Sequence, residues 1–399
     1  MVPRGTTPPT KMVIAGAGFA ALEVVLAMRA FAGDAVTLDL ISDQDEFVFS
    51  PAATAELFVP VPRSRWPLND LIARAGANLI LGSIDRVDPD QRRVHLTSGE
   101  VLAYDFLVIA IGGIHEPWLD APGVTFTGPH EVPELGRHLG QVVARAEAGE
   151  QVRLAFVVPP GGSWVIPVYE LALLSKQFID AHDVGGRVEV RVVTPEDAPL
   201  AVFGQRAAQM MTGVLADAGV ELSIATIVRE WRNGALCTVP DGAIAADVVI
   251  SMPVICGPFL PGIPHTAQGF VDADQDGRVR AHNRIFVAGD AGPFPIKQAG
   301  LACQQADRVA AIVCAHLGIS TIEIPRAPVL RGLVWSGQGE HFLRRDLAGG
   351  RDESHGTVST SAALWWPPGK VAGRFLAPFL HEVEGHELVD MPTHNGATR

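Results

Sequence analysis

Lys11 to Arg29 reads KMVIAGAGFAALEVVLAMR, an apolar strand, a glycine turn and a helix in immediate succession. Residues 12–15 are apolar enough for a buried strand, and Gly16-Ala17-Gly18-Phe19-Ala20-Ala21 fits G-x-G-x-x-A, the dinucleotide-binding fingerprint. Each position has a physical task. Gly16 permits the tight turn, Gly18 lets the backbone approach a pyrophosphate, and Ala21 is small enough for close helix–strand packing. The helix N-terminus then faces the phosphates, with Glu23 expected in its first turn. A nucleotide site on an α/β domain is expected here.

Composition sets the frame around that turn. A chain of 399 residues implies two or three domains, and 48% hydrophobic residues imply ample buried core. Lys and Arg number 31 against 44 Asp and Glu, a formal charge of −13, which argues against nucleic acid as partner. No run approaches the roughly 18–20 apolar residues of a membrane span. The N-terminus, MVPRGTTPPT, lacks the apolar core of a signal peptide, so a cytoplasmic location is expected. Cys237, Cys256, Cys303 and Cys314 form no C-x-x-C pair or zinc spacing, and no metal site is expected.

After the first helix, residues 36–41 read as a second strand, with Ser42 and Asp43 where a ribose-binding residue is expected. Residues 47–51 lead into a small-residue helix. Residues 84–87 and 93–96 flank a turn, and 104–111 read as a buried strand ending in Gly112-Gly113. A Pro- and Gly-rich stretch, 114–130, marks a crossover. A second βαβ unit follows, with strands at 152–158, 187–193 and 248–251 and helices at 168–181 and 204–218. A hairpin turns at Asn233-Gly234. Pro253, Pro258, Pro261 and Pro264 mark the return crossover. A strand over 284–288 ends in Gly289-Asp290, and a helix is expected from Lys297 to His316. From Arg326 the composition shifts, and 364–380 (LWWPPGKVAGRFLAPFL) is aromatic, basic and apolar.

Taken together, GAGFAALE, YDFLVIAIGG and RIFVAGDAG resemble the two-dinucleotide-domain flavoproteins of the pyridine nucleotide–disulfide oxidoreductase type. FVFSPAA, VTPEDAPLAVFG and KQAGLACQQAD are most similar to the branch of type II NADH dehydrogenases and sulfide:quinone oxidoreductases. The resemblance implies FAD as cofactor. Gly16, Gly18 and Ala21 would hold the pyrophosphate, Ser42 would sit near the adenosine ribose, and Pro51 and Gly112 would line the cofactor. Gly289-Asp290 would meet the ribityl chain, with Lys297 and Gln298 at the start of the last helix near the flavin. That ammonium would stabilise charge on reduced flavin. Glu170 and the 253–258 loop would face the flavin from the second unit.

The pattern breaks in one place. Relatives that use NADH repeat G-x-G-x-x-G in the second unit, but counting back from Glu170 the three positions fall on Ser163, Val165 and Val168. Gly161-Gly162 comes two residues early. Ordinary NADH binding is therefore in doubt. Sulfide chemistry needs a cysteine pair by the flavin; Cys256 is weighed as a redox group, and Cys303 as packed core. Asp272 to Gly277 resembles a calcium loop but has Asn283 at its twelfth position, and reads as a β-turn. His381-Glu382…His386 lacks metal spacing and reads as solvated tail.

The expectation is an α/β protein of two Rossmann-like three-layer domains with a small C-terminal α+β segment. Residues 1–120 with 265–320 would form the FAD-binding domain, 121–264 the NAD(P)-like or substrate domain, and 325–399 an interface segment. The activity expected is electron transfer from NAD(P)H or another small donor, through FAD, to a quinone or small-molecule acceptor. The alternatives are a nicotinamide-independent sulfide:quinone type and a flavoprotein acting mainly through protein contacts. A homodimer is expected, and 364–380 is expected to pack on the protein in preference to a membrane surface.

Overall fold

The computed structural model describes residues 9–61, 63–161, 164–240, 242–347 and 356–385. Thr10–Ala15 pairs in parallel with Val36–Ser42 on one side and Phe106–Ile109 on the other, so the fingerprint strand lies mid-sheet. Asn78–Leu81 and Ile285–Val287 complete five parallel strands. Met12, Val13, Ile14 and Ala15 are all 0% exposed, as a strand covered on both faces requires. One face carries the fingerprint helix, Phe19–Ala32, packed on the Ala299–His316 helix through Val24, Met28, Ala306 and Val313. The other is covered by an antiparallel meander, Ile84–Asp88, Arg93–Leu96 and Val101–Ala103, whose Val87, Val94 and Leu102 pack on Val13 and Leu107.

A second five-stranded parallel sheet repeats the plan: Gly123–Thr125, Val248–Ser251, Val152–Val157, Val188–Val193 and Glu221–Ser223 in spatial order. Helices Val132–Glu147, Ile166–Asp180 and Gln205–Asp217 cover one face. A three-stranded antiparallel sheet covers the other, its hairpin turned by Asn233 (φ +52) and Gly234 (φ +80), the left-handed pair that such turns favour. The two-Rossmann α/β architecture is therefore present. The two crossovers pair with each other as an antiparallel ribbon, Ile114 opposite Cys256 and Glu116 opposite Val254.

Three antiparallel strands near the C-terminus, Val329–Trp335, Glu340–Asp346 and Gly356–Ser359, place Leu330, Val334 and Leu343 in the core of the second unit. A strap then crosses to the first unit, where the terminal helix, Leu376–Val383, buries Leu376 and Leu380. Trp365 stacks edge-on against Phe342, and its Nε1 donates to Gly369 O at 3.0 Å. Among the described residues, no helix is long and apolar enough to cross a membrane.

Several local expectations need correction. The small-residue helix after Pro51 is a 3-10 turn, Ser50–Ala52, followed by further turns; Pro60 follows too closely for an α-helix to propagate. The strand expected over 104–111 is confined to Phe106–Ile109; at its start the Asp105 carboxylate takes the Lys11 amide at 2.9 Å in place of a backbone carbonyl, and beyond its end Gly112 turns the chain with φ +77. Glu23 is the fifth residue of its helix, one turn deeper than expected. The last helix starts at Ala299, since Gln298 is its cap. His381 and Glu382 belong to the terminal helix, not to a solvated tail, while His386 lies outside the described residues. Asp272 to Gly277 is a hydrogen-bonded turn: Asp274 Oδ1 accepts from the amides of Asp276 (2.9 Å) and Arg278 (3.0 Å).

Candidate active site

A cleft of about 660 Å³ opens where the first sheet ends, between the two units. Gly16 turns at its edge with φ +109, and its amide donates to Ile41 O at 2.8 Å. A Cβ at Gly16 would lie 2.2 Å from Ala110 O, so no other residue fits. Gly18 caps the fingerprint helix without a side chain, and a Cβ there would meet nothing within 4 Å. The open helix end therefore faces the cleft, as a pyrophosphate site requires. Ala21 does not line the cleft. It is 0% exposed in the helix–sheet core, so its part is packing rather than phosphate contact.

Ser42 lines the cleft, but its hydroxyl donates to Gln44 O at 2.7 Å and accepts from the Gln44 amide at 3.0 Å. That self-contained turn leaves the neighbouring Asp43 carboxylate exposed on the cleft wall, at the position where this fold places a ribose-binding acid. Pro51 and Gly112 (φ +77) also line it.

On the far strand, Gly289 (φ +77) is fixed by Gln305, whose Oε1 accepts from its amide at 2.8 Å. Asp290 follows, half-buried; burial pushes its carboxyl up while Lys297 and His115 pull it down. Lys297 lines the cleft, but its ammonium donates to Asp290 O at 3.1 Å and Gly292 O at 2.5 Å. It also lies 3.8 Å from the Phe270 ring centroid, and burial lowers its pKa to about 8. Its first task is thus to close the Asp290 loop. Gln298 Oε1 accepts from the Leu301 amide at 2.8 Å, and Nε2 donates to Arg331 O at 3.0 Å.

The opposite wall comes from the second unit and the C-terminal segment. Glu170, 1% exposed on the Ile166–Asp180 helix, accepts from Thr54 Oγ1 at 2.9 Å and from the Trp335 amide at 2.8 Å. Its third donor is Lys370, whose side chain is 5% exposed and whose ammonium lies 4.0 Å from the Trp335 ring centroid. Burial lowers the Lys370 pKa, and the Glu170 charge opposes that shift. Lys370 lies 200 residues from Glu170, so the expectation that 364–380 packs on the protein carried no sign of its partner.

The second βα turn is built differently from the first. Trp164 lines the cleft and packs edge-on against Phe203 with centroids 5.9 Å apart, and Pro167 stands near the start of the helix. Gly162 and Ser163 lie outside the described residues. Beyond the neighbouring strand, Glu196 accepts from Tyr169 at 2.5 Å and from Thr194 at 2.9 Å, and burial raises both pKa values. Cys256 stands apart from the cleft. Ile255 faces it from the ribbon, so the alternation turns Cys256 away, towards Glu116 Oε2 at 3.6 Å. Burial first and the Glu116 charge second raise its thiol pKa, against the needs of a nucleophile. Cys303 is 0% exposed, packed between helices as expected.

A long cleft, a glycine turn whose neighbours demand glycine, an open helix end and a strand-terminal Gly-Asp fit FAD, and define a flavin-binding two-domain oxidoreductase. A model of the pyridine nucleotide-disulphide oxidoreductase family matches residues 10–306, and the chain belongs to that family as an FAD-dependent oxidoreductase. The type II NADH:quinone oxidoreductase of Staphylococcus epidermidis is 23% identical over 308 residues, 71% of this chain and 75% of that one. That of Staphylococcus haemolyticus is 24% identical over 304 residues, with the same coverage. Among solved structures, the sulfide:quinone oxidoreductase of Aquifex aeolicus superposes with a TM-score of 0.76 at 17% identity, covering 94% of this chain and 90% of that one. NDH2 from Plasmodium falciparum in complex with NADH gives 0.66 at 12% identity, covering 86% and 92%. At such identities the likeness is one of fold.

Proposed function

We propose that this protein passes an electron pair from NAD(P)H through FAD to a quinone, which leaves as the hydroquinone with two protons. The observation that carries this reading is the Glu170–Lys370 pair, buried in the wall of the flavin cleft. FAD, when bound, supplies the two-electron chemistry. The chain's own residues hold the proton supply. Lys370, made a stronger acid by burial, is placed to give a proton to a reduced oxygen, and Glu170 holds the ammonium in place. Pro167, Ile166, Trp164 and Leu333 exclude water from this wall. The names of the staphylococcal relatives support donor and acceptor alike.

A second reading, with a small non-nicotinamide donor such as sulfide, is favoured by the second turn, where Val165 and Val168 stand at glycine positions and Trp164 and Pro167 add bulk beside them. Anaerobic bleaching of the purified flavoprotein by NADH, NADPH or sulfide separates the two. Saturable bleaching by a nicotinamide followed by quinone reoxidation supports the first, and bleaching by sulfide alone supports the second. Lys370→Met should slow quinone reoxidation by about 10²-fold with flavin reduction unchanged. Reoxidation at the wild-type rate would remove Lys370 from the mechanism.

A further inference from the structure

The fingerprint helix carries a single carboxyl group, Glu23, and it is 0% exposed. The Phe375 amide donates to its Oε1 at 2.8 Å and the Leu376 amide to its Oε2 at 2.7 Å, so Glu23 caps the terminal helix from across the core. Asp307, on the Ala299–His316 helix, is 3% exposed. Its Oδ2 stands 3.4 Å from Arg374 Nε, while its Oδ1 is buried with no partner. Gly373 passes so close that a Cβ there would lie 2.8 Å from Glu23 Oε2 and 3.1 Å from Cys303 Sγ.

Two buried carboxylates facing one guanidinium would leave a net charge in the core, and such pairs take up a proton instead. A proton on Glu23, donated to the orphan Oδ1 of Asp307, satisfies both groups. We propose that Glu23 and Asp307 hold one proton between them, and that this acid pair is the clasp by which the C-terminal strap positions Lys370 in the flavin cleft. The consequence for Lys370 rests on the role proposed for it above; the clasp itself does not.

The charged and titratable groups at this point are Glu23 from the fingerprint helix, Asp307 and Cys303 from the neighbouring helix, and Arg374 from the strap. Arg331 lies beyond Arg374. Burial and then the Asp307 charge push Glu23 up from 4.5 to about 8. Burial pushes Asp307 from 3.8 to about 6, against the pull of Arg374 and of the bond from Glu23. Both are acids raised in the docked state, so docking is strongest at low pH. It weakens as pH rises from about 3.8, the ordinary value of Asp307, and the loss is complete above about 8.

Trypsin reads the clasp directly, since Lys370 and Arg374 mark cleavage points within the strap. In the holoprotein, release of the fragment beyond Lys370, normalised to a synthetic peptide of the strap at each pH, should rise by up to about tenfold per pH unit between pH 6 and 8. Glu23→Gln keeps an acceptor for one of the two terminal amides and removes the titrating group, so its curve should be flat. A flat wild-type curve, or a Glu23→Gln curve with the wild-type slope, overturns the proposal. If Glu23→Gln does not fold, Asp307→Asn serves: loss of the neighbouring charge should move the midpoint to lower pH, and an unmoved midpoint is fatal. Lys370→Met, followed at the Arg374 cleavage, should titrate as wild type while its quinone step is slow. A wild-type quinone step with an intact clasp curve would break the role of Lys370 and leave the clasp standing.

Discussion

The two sheets share one plan and differ where their first strand meets its helix. At Gly16 the backbone takes φ +109 and leaves no room for a side chain, while the space above Gly18 is open. At the matching turn of the second sheet, Trp164 is pinned by Phe203 and Pro167 stands near the start of the helix. Gly161 keeps φ +72 there, but its missing Cβ faces open space rather than a backbone wall. The same topology thus makes one turn whose backbone demands glycine and whose helix end stays open, and one lined by apolar bulk. Nucleotide binding belongs to the turn, not to the sheet.

The largest effect is expected at Gly16. Gly16→Val should cost more than about 4 kcal/mol and abolish soluble protein, because the side chain must enter the Ala110 carbonyl. A soluble yellow variant would break the contrast. Gly18→Val should fold, with an unchanged melting temperature once flavin is stripped from both proteins, yet purify without flavin. Retention of wild-type flavin absorbance would mean that the open space above Gly18 is not the cofactor's. Trp164→Gly should sharpen the comparison from the other side, tightening NADH by about tenfold, or about 1.4 kcal/mol, in a stopped-flow titration. No change in apparent affinity would show that bulk at the second turn is not what weakens the nicotinamide site. The smallest effect belongs to Gly161→Ala, a loss of about 1 kcal/mol from backbone strain with flavin content unaffected, checked by denaturant titration.

Much of the fold was legible because its signals are contiguous. Strand, glycine turn and helix stand side by side from Thr10 to Ala32, and Gly289-Asp290 follows its strand directly. Asn233-Gly234 announced its hairpin for the same reason. What escaped notice depends on partners distant in sequence. Lys370 acquires its meaning only when the strap brings it to Glu170, where both side chains are buried. Cys256 lay in the right loop, but strand alternation, fixed by pairing with Ile114, sends Ile255 inward and the thiol outward. The sequence offers both Ser42 and Asp43 at the ribose position, and it is the Ser42–Gln44 turn that leaves Asp43 the exposed one of the two. Glu23 did leave a trace: one acid within FAALEVVL, on a helix apolar all round, has to find a partner somewhere in the core.

That last contact also has a place in time. Phe375 stands 352 residues after Glu23, so a ribosome adding about 5–20 residues per second finishes the cap about 20 to 70 seconds after the glutamate emerges. Throughout that interval the first helix carries a carboxyl group that its own neighbourhood cannot satisfy, and the strand Ile285–Val287 that flanks its sheet is also late. The N-terminal unit is begun first and closed last, while the inserted second sheet has all its strands as soon as Ser251 is made.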